Sequence, residues 1–295
     1  MTLLIMAAGM SSRYGALKQF EKLGPNNEYL FEFSIFDAIE NGFTHIAIVT
    51  NEKFVDELKN YLQKKLPKTI NVDIIAQQVA DLPTGISKIV NRKKPWGTAH
   101  AVWTVRNFVD DDFVIINADD YYGYDAFRLA ANFIRNKNDD KVFGLVSYSL
   151  NETLSEYGTV SRGICKVNGS LLQSIYEYKE IEVENGLISD KKANKVFNGN
   201  EPVSMNFWIC NPYFFEEIEL QLTNFITDEL YDDKDEIYVP LVIQKMIEDK
   251  KIEVEVNHTS SKWFGMTYAN DKDEVVRKLH NLSTNGLYPS PLWKN

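Results

Sequence analysis

The stretch LLIMAAGMSSRYGALKQF, residues 3–20, decides the fold. It begins with a short apolar run, which is typical of a buried β-strand. It continues through two alanines and Gly9 into a polar loop that carries Arg13 and Lys18. Small residues let backbone N–H groups approach anionic oxygens, and the two cations suit a phosphate. The loop has neither a strict G-x-G-x-x-G pattern nor the K-[ST] ending of a P-loop. Composition alone therefore leaves an ordinary strand-to-helix loop open as an alternative.

Outward from this stretch, apolar strands and helical segments alternate through the first half of the chain. The predicted strands are 45–50, 70–76, 113–118 and 141–149, and the predicted helices are 31–41, 52–63, 98 to about 107 with Thr98 as its cap, and 124–136. Such alternation indicates βαβ units and a mainly parallel sheet. Ligands of these sheets bind outside the carboxyl ends of the strands, where the 9–18 loop and ADDYYG (118–123) both fall.

The second half is richer in strands. Residues 158–167 and 171–179 resemble a hairpin closed by Asn168-Gly169. The polar segment 182–200 predicts a mobile loop. The remaining predicted elements are a strand at 202–210, a helix opened by Pro212, a helix at 238–248, a strand at 252–257, and a last helix that starts with a capping-box pattern at Asp271 and Glu274.

Charge and composition narrow the class of protein. The net charge is 32 − 42 = −10, which disfavours general binding to a nucleic-acid backbone. The hydrophobic fraction of 44% and the charged fraction of 25% are ordinary for a soluble globular protein. Cys165 and Cys210 lie in apolar runs, which predicts buried free thiols. Without an 18-residue apolar span or a secretory start, we expect a cytoplasmic protein with no membrane partner.

Four motifs in order carry a family resemblance. MAAGMSSRYGALKQ resembles the loop A-A-G-x-G-[ST]-R-x(n)-K of the nucleotidyltransferases that activate sugar 1-phosphates, with Ser11 at the usual second glycine. KPWGTAHAV (94–102), INADDYYG (116–123) and SIYEYKE (174–180) resemble that family's G-T-A-x-A, G-D-[ND] and V-x-E-K-P segments. The resemblance covers most of the chain and is most specific at residues 3–20 and 97–123.

The resemblance implies a fold and a set of site residues. The fold is a Rossmann-like three-layer α/β/α sandwich with a mainly parallel central sheet, of the nucleotide-diphospho-sugar transferase type, with a strand-rich substrate-binding portion. Residues 1–295 form a single domain, in which 1–150 bind the nucleotide and 151–295 bind the acceptor. Arg13 and Lys18 neutralise the triphosphate, and Asp119 binds Mg²⁺. The nucleotide-binding residues are Ala7, Ala8, Gly9, Met10, Ser11, Gln77, Gly97 and Thr98, and the acceptor-binding residues are Tyr121, Gly158, Glu177, Lys179 and Asn206.

Two positions depart from the family pattern. Tyr178 stands at the family's lysine, and Lys179 follows one residue later. In other members, an aspartate two residues after a tryptophan supplies a second metal ligand, whereas Gly265 follows Trp263 at that spacing here. Asp119 would then complete its metal coordination with phosphate oxygens and water.

Several residues keep a simpler interpretation open. Gln77 or Gln78 could read a base edge through amide groups or lie in a solvated loop. Asp119 and Asp120 could instead form a turn that caps the next helix. His100 is expected to pack in its helix, and Trp96 either stacks on the base or forms a wall of its pocket.

The function that follows is transfer of a nucleotidyl group from a nucleoside triphosphate, UTP or dTTP, to a sugar 1-phosphate, with release of pyrophosphate and with Mg²⁺. A phosphate monoester is already a nucleophile at neutral pH, so no general base is needed.

Two alternatives stay open. One is a CTP-dependent enzyme acting on phosphocholine, for which the aromatic side chains of Trp208, Trp263, Tyr121 and Tyr122 could hold the cation, or on another small phosphorylated acceptor. The other is a non-catalytic nucleotide-binding protein. A homo-oligomer is compatible with either.

Overall fold

The computed structural model describes residues 1–9, 20–86, 92, 94–155, 158–228, 235–266 and 271–293. The strands are β1 Thr2–Ala7, β2 His45–Thr50, β3 Asn71–Ala76, β4 Phe113–Asn117, β5 Asp120–Tyr121, β6 Val142–Ser149, β7 Val160–Asn168, β8 Leu171–Glu184, β9 Leu187–Asp190, β10 Lys195–Phe197, β11 Pro202–Cys210, β12 Glu253–His258 and β13 Phe264–Gly265. The helices are α1 Leu30–Glu40, α2 Val55–Gln63, α3 Thr98–Trp103, α4 Tyr124–Asn136, α5 Tyr213–Thr227, α6 Val239–Glu248 and α7 Asp271–Thr284.

One mixed sheet runs through both halves of the described chain. It has 11 strands in the order β10-β9-β8-β12-β6-β11-β4-β1-β2-β3, with β7 paired to β11 and β8. Strands β3, β2, β1 and β4 are parallel, as the βαβ pattern predicts, and so are β6 and β12. All other pairs in this sheet are antiparallel. The prediction of a mainly parallel sheet is therefore wrong, because β11 and the β7–β10 hairpins bring in antiparallel ladders.

The segment 182–200 is ordered into strands and is not the mobile loop that its composition predicts. β8 continues to Glu184 and pairs with β9, and β9 pairs with β10. The predicted β7–β8 hairpin is confirmed, and Gly169 turns it at φ 62°.

Helices cover both faces of the sheet. Alternate residues of β1 point to opposite sides: Leu3 and Ile5 join the cluster under α1, α2 and α4, whereas Leu4 joins the cluster under α3, α5 and α6. A strand with buried side chains on both faces reads as a continuous apolar run, which is why LLIMA has no polar alternation. A third cluster lies at one end, where α7 and Tyr288 pack against Phe33 of α1.

Two helix predictions need correction. The segment after residue 97 gives a helix of only 6 residues, Thr98–Trp103, followed by turns. Its N-cap is Gly97, not Thr98, and the Thr98 hydroxyl accepts a hydrogen bond from Val239 N at 3.0 Å.

Cys165 and Cys210 are buried and free, as predicted. Within the described ranges, no helix is long and apolar enough to cross a membrane.

Candidate active site

Four strand ends meet at one edge of the sheet. β1 ends opposite β2 with Ala7 beside Thr50, and Gln77 N then donates to Thr50 O at 2.9 Å. On the other side of β1, Ala118 N donates to Met6 O at 3.1 Å and Asp119 follows. The carboxyl ends of parallel strands necessarily share an edge, so the start of the loop, Gln77 and Asp119 come together.

The start of the predicted phosphate loop is part of this edge. Ala7 and Ala8 are buried, whereas Gly9 is exposed, and a Cβ atom there would have no atom of the described residues within 4 Å. A glycine at this point lets a ligand approach the backbone closely. Met10, Ser11, Arg13 and Lys18 lie outside the described residues.

Gln77 is held by two acceptors. Its amide nitrogen Nε2 lies 3.2 Å from Gly97 O and 3.0 Å from His100 Nδ1. The other ring nitrogen of His100 lies 2.7 Å from Asp81 O. Gln77 is half-buried, whereas Gln78 is exposed. The structure therefore brings Gln77 and Gly97 into one corner, as predicted.

The backbone conformation and the close packing at position 97 both require a glycine. Its φ is +104°, a conformation that side chains disfavour. A Cβ atom there would overlap Ile237 O and would lie 3.0 Å from Glu236 Cβ. The absence of a side chain lets the 235–239 segment pack against the start of α3. Trp96, one residue earlier, is fully buried and donates from Nε1 to Val79 O at 2.9 Å, so it belongs to the core and does not stack on a base.

Two carboxyl groups lie at the end of β4. Asp119 is half-buried, and Asp120 is 8% exposed. Asp120 Oδ2 accepts from Asn117 Nδ2 at 2.8 Å and lies 3.1 Å from the Tyr122 hydroxyl. Burial raises the pKa of Asp120 to about 7, and the neighbouring Asp119 adds to the rise. The pair thus combines one accessible carboxylate with one whose proton is held near neutral pH.

The space around Gly265, where other family members are expected to carry a metal-binding aspartate, is filled by a neighbouring carboxyl group. β13 pairs antiparallel with β5, which places Gly265 opposite Asp120. A Cβ atom at Gly265 would overlap Asp120 Oδ1 and would lie 2.9 Å from Trp263 Cζ2. The carboxylate of Asp120 therefore occupies the space where a side chain at position 265 would begin.

The predicted acceptor residues of β8 lie at an irregular part of the strand. Glu177 pairs with Gly163 and Tyr178 with Arg162, and the register against β7 shifts between Tyr178 and Ile181, where Lys179 lies. Tyr178 packs edge-to-face on Phe197 at 5.1 Å between ring centroids. Partial burial raises the pKa of Glu177, and the positive charges of Arg162 and Lys179 oppose that rise. The charge of Lys179 thus reaches Glu177, although Tyr178 stands at the family's lysine position.

Asn206 lies at an irregular point of β11. The register against β6 shifts between Ser204 and Trp208, and Asn206 adopts a φ of 61°. Positive φ is uncommon for a residue with a side chain, and such strain is concentrated at functional sites. The Tyr122 hydroxyl lies 2.9 Å from Met205 O, which links this bulge to Asp120. Gly158 is exposed just before β7.

Tyr121 is placed apart from the other acceptor residues. It is 4% exposed, its ring stacks on Phe264 at 4.3 Å, and its hydroxyl lies 2.8 Å from that of Tyr288. It also lines a cavity of about 1100 Å³ that includes Arg162, Trp263 and Lys278 and, within the described part of the chain, no other predicted site residue. We locate the site at the strand ends, because the polar groups converge there and not in that cavity.

Three residues carry contacts that the motifs do not specify: His100 as a hydrogen-bonding group, Tyr122 through its bond to Asp120, and Arg162 through its charge. Arg162 donates to the Thr153 carbonyl and stands 4.8 Å above the Trp263 ring. Its charge opposes the rise that burial causes in the pKa of both Asp120 and Glu177. No local pattern marks these side chains, because their partners are distant in sequence.

Comparison with known proteins agrees with this geometry. The UTP–glucose-1-phosphate uridylyltransferase of Bacillus subtilis (strain 168) is 30% identical over 132 residues, which cover 40% of this chain and 43% of that protein. The match thus spans less than half the length of that relative. The inositol-1-phosphate CTP transferase of T. maritima superposes with a TM-score of 0.63 at 13% identity, covering 96% of each chain. A glucose-1-phosphate thymidylyltransferase structure from Bacillus anthracis gives a TM-score of 0.63 at 13% identity over 95% of each chain. The sequence profile of one family, Nucleotidyl transferase, matches residues 4–265. The chain belongs to the Nucleotidyl transferase family.

Proposed function

We propose that this protein transfers a nucleotidyl group from UTP or dTTP to a sugar 1-phosphate and releases pyrophosphate. The observation that carries the proposal is the meeting of Ala7–Gly9, at the start of the glycine loop, with Gln77, Gly97 and Asp119 at one sheet edge. The family supports nucleotidyl transfer, and the relatives' names support a sugar phosphate.

The reaction needs little chemistry from side chains. An oxygen of the acceptor phosphate bonds to the α-phosphorus of the triphosphate. The bond from that phosphorus to the oxygen bridging the β-phosphate breaks, and pyrophosphate leaves with the electron pair. The acceptor phosphate is already anionic, so positioning and charge neutralisation suffice. In this proposal Arg13 and Lys18 neutralise the triphosphate, and Glu177, Lys179 and Asn206 orient the acceptor.

The strand-end carboxylates fit a magnesium ion. Mg²⁺ is commonly held by one or two carboxylates together with substrate phosphates. Asp119 is half-buried at this edge, and Asp120 Oδ1 faces the space left by Gly265. Asp119 would hold the ion with Asp120 beside it. When bound, the ion would supply positive charge for the phosphate oxygens. Among the described residues, no cluster of three metal-ligating side chains offers a rival site.

Phosphocholine is a poorer acceptor for this chain. The four aromatic side chains considered for a choline cage do not form one. Trp208 and Tyr122 are fully buried, and Tyr121 is stacked on Phe264. The guanidinium of Arg162 already stands over Trp263, where it would repel a second cation. This geometry disfavours a quaternary ammonium group and favours an anionic or neutral acceptor.

The test is pyrophosphate release across five triphosphates, UTP, dTTP, CTP, ATP and GTP, each with several sugar 1-phosphates and with phosphocholine. We expect turnover with UTP or dTTP and a sugar 1-phosphate, abolished by excess chelator. Lys18→Ala should remove turnover with little change in melting temperature, because in this proposal Lys18 acts on the triphosphate and not on the packing of the fold. Binding of triphosphate without turnover by any acceptor would support the non-catalytic alternative. Normal turnover by Lys18→Ala would contradict the assigned loop.

A further inference from the structure

We infer that His100 is a positioning residue that fixes the amide of Gln77, so that the base corner presents an acceptor oxygen and selects uracil or thymine over cytosine. The inference rests on the proposed function, because it assumes that Gln77 faces the base. It adds a residue that does not itself touch the nucleotide.

The first step concerns the proton on His100. Its Nε2 lies 2.7 Å from Asp81 O, and a backbone carbonyl can only accept a hydrogen bond. Nε2 therefore carries the proton. Burial lowers the pKa of His100, which keeps the ring neutral. In a neutral imidazole the remaining nitrogen, Nδ1, is an acceptor.

The second step concerns the Gln77 amide. Nδ1 of His100 lies 3.0 Å from Gln77 Nε2, and Gly97 O lies 3.2 Å from the same atom. Both partners accept, and the amide nitrogen has two hydrogens to donate. Turning the amide over would place its oxygen against two acceptors. The amide orientation is thus specified by its surroundings.

The third step concerns what remains for a ligand. With Nε2 engaged, Oε1 of Gln77 is left, and it has no hydrogen-bond partner among the described residues. A base that reaches it must donate. Uracil and thymine donate from N3, whereas N3 of cytosine is an acceptor and cytosine donates only from its N4 amino group. Cytosine bound in the pose that places N3 against Oε1 would therefore oppose two acceptors and leave both unpaired.

Two substitutions separate the two hydrogen bonds of His100. In His100→Asn the side-chain oxygen can take the place of Nδ1 and accept from Gln77, but the donor to Asp81 O is lost. In His100→Gln the amide can reach Asp81 O, but the acceptor for Gln77 is lost. Both variants replace a buried ring by a smaller side chain, so their losses of stability are comparable. They differ in the property that the inference concerns.

The measurement is the dissociation constant of UTP, dTTP and CTP for the wild type and both variants, with melting curves. We expect His100→Asn to keep the wild-type ratio of UTP to CTP affinity within about threefold. We expect His100→Gln to lower that ratio tenfold or more. Equal ratios in the two variants would overturn the inference and leave the proposed function standing. If the wild type prefers CTP or a purine triphosphate, the hypothesis that Gln77 presents an acceptor oxygen to the base is wrong.

A second measurement needs no variant to fold. The ¹⁵N chemical shifts of the histidine rings report which nitrogen carries the proton. The wild-type protein should show His100 as a neutral ring with hydrogen on Nε2. A ring protonated on Nδ1 at neutral pH would exclude the proposed bond to Gln77. Absence of turnover with every triphosphate and acceptor would instead count against the proposed function.

Discussion

Asp119 and Asp120 are neighbours in sequence with different surroundings. Asp119 is half-buried at the strand end, whereas Asp120 is buried under Gly265 and hydrogen-bonded by Asn117. A contact to a metal ion that strengthens in the transition state is worth several kcal/mol. Removing the negative charge of Asp119 should therefore lower turnover more than removing that of Asp120.

Asp119→Asn should lower turnover about a hundredfold or more, because it removes a charge that stabilises the ion and the reacting phosphate. Asp120→Asn should cost less than about tenfold, because an amide oxygen can still accept from Asn117. The measurement is steady-state turnover at saturating Mg²⁺, with melting curves to show that both variants fold. Equal and mild losses would refute the assignment of Asp119.

Gly97 should resist any side chain. Its φ of +104° strains a Cβ atom, which would also overlap Ile237 O. Gly97→Ala should therefore lower the free energy of unfolding by about 2–4 kcal/mol. Gly186→Ala is the control, because Gly186 has a φ of +79° but no atom within 4 Å of a built Cβ. The control should lose only about 1 kcal/mol in urea unfolding. An equal loss in both would show that the packing against Ile237 does not matter.

Among the elements, α1 carries a buried carboxyl group far from the strand ends. Asp37 Oδ2 accepts from the Tyr288 hydroxyl at 2.7 Å, and Oδ1 has no partner among the described residues. Burial raises the pKa of Asp37 to about 8, opposed by the hydrogen bond from Tyr288. The folded protein thus holds a proton that an unfolded chain would release near pH 4.

Asp37 should therefore make stability depend on pH. Because its folded pKa is raised, its contribution is complete below about pH 4 and is lost as the pH rises toward 8. Asp37→Asn cannot titrate and still accepts from Tyr288. The variant should gain about 3–4 kcal/mol relative to the wild type between pH 5 and pH 8 in urea unfolding. A difference that stays constant over this range would show that Asp37 is ionised in the folded protein.

Element prediction from sequence succeeded where side chains carry the pattern. α1, α4 and the parallel strands have apolar residues at the expected periods, and the structure confirms them. It failed at β9 and β10, where Leu187 and Val196 are exposed and most other residues are polar. Backbone pairing with β8 forms these strands, and backbone pairing leaves no mark on composition. The same is true of the site. The ends of the strands can be predicted from the sequence, but the contacts of His100 and Arg162 cannot, because their partners lie far away in the sequence.

At the scale of the whole molecule, the segment after α7 covers polar groups of α1. Trp293 Nε1 donates to Glu32 Oε2 at 2.8 Å, and Leu292 N lies 3.4 Å from Glu28 Oε1. Tyr288 and Leu292 are buried in the third cluster. This segment connects the α1 region to the two-stranded β5–β13 sheet, because Tyr288 also contacts Tyr121.

Removal of residues 286–295 should therefore lower the free energy of unfolding of the whole protein. Two large buried side chains account for about 5 kcal/mol at 1.5–3 kcal/mol each, a large part of a typical stability of 5–15 kcal/mol. The urea midpoint measures the loss. Leu287→Ser is the control, because Leu287 is 49% exposed and its replacement should cost under about 0.5 kcal/mol. A truncated protein as stable as the wild type would show that the segment is dispensable for folding.

The bulge in β11 divides one strand between two sets of neighbours. Pro202–Ser204 pair with β6 and β7, and Trp208–Cys210 pair with β6 and β4, whereas residues 205–207 have no partner in the β6 register. Amide hydrogen exchange depends on backbone pairing as well as on burial. In heavy water, the amides of Trp208–Cys210 should stay protonated for as long as those of the central parallel strands. Those of 205–207 should exchange earlier although Phe207 is fully buried. Protection would then break in the middle of a core strand, between the part that adjoins β4 and the part that adjoins the hairpins.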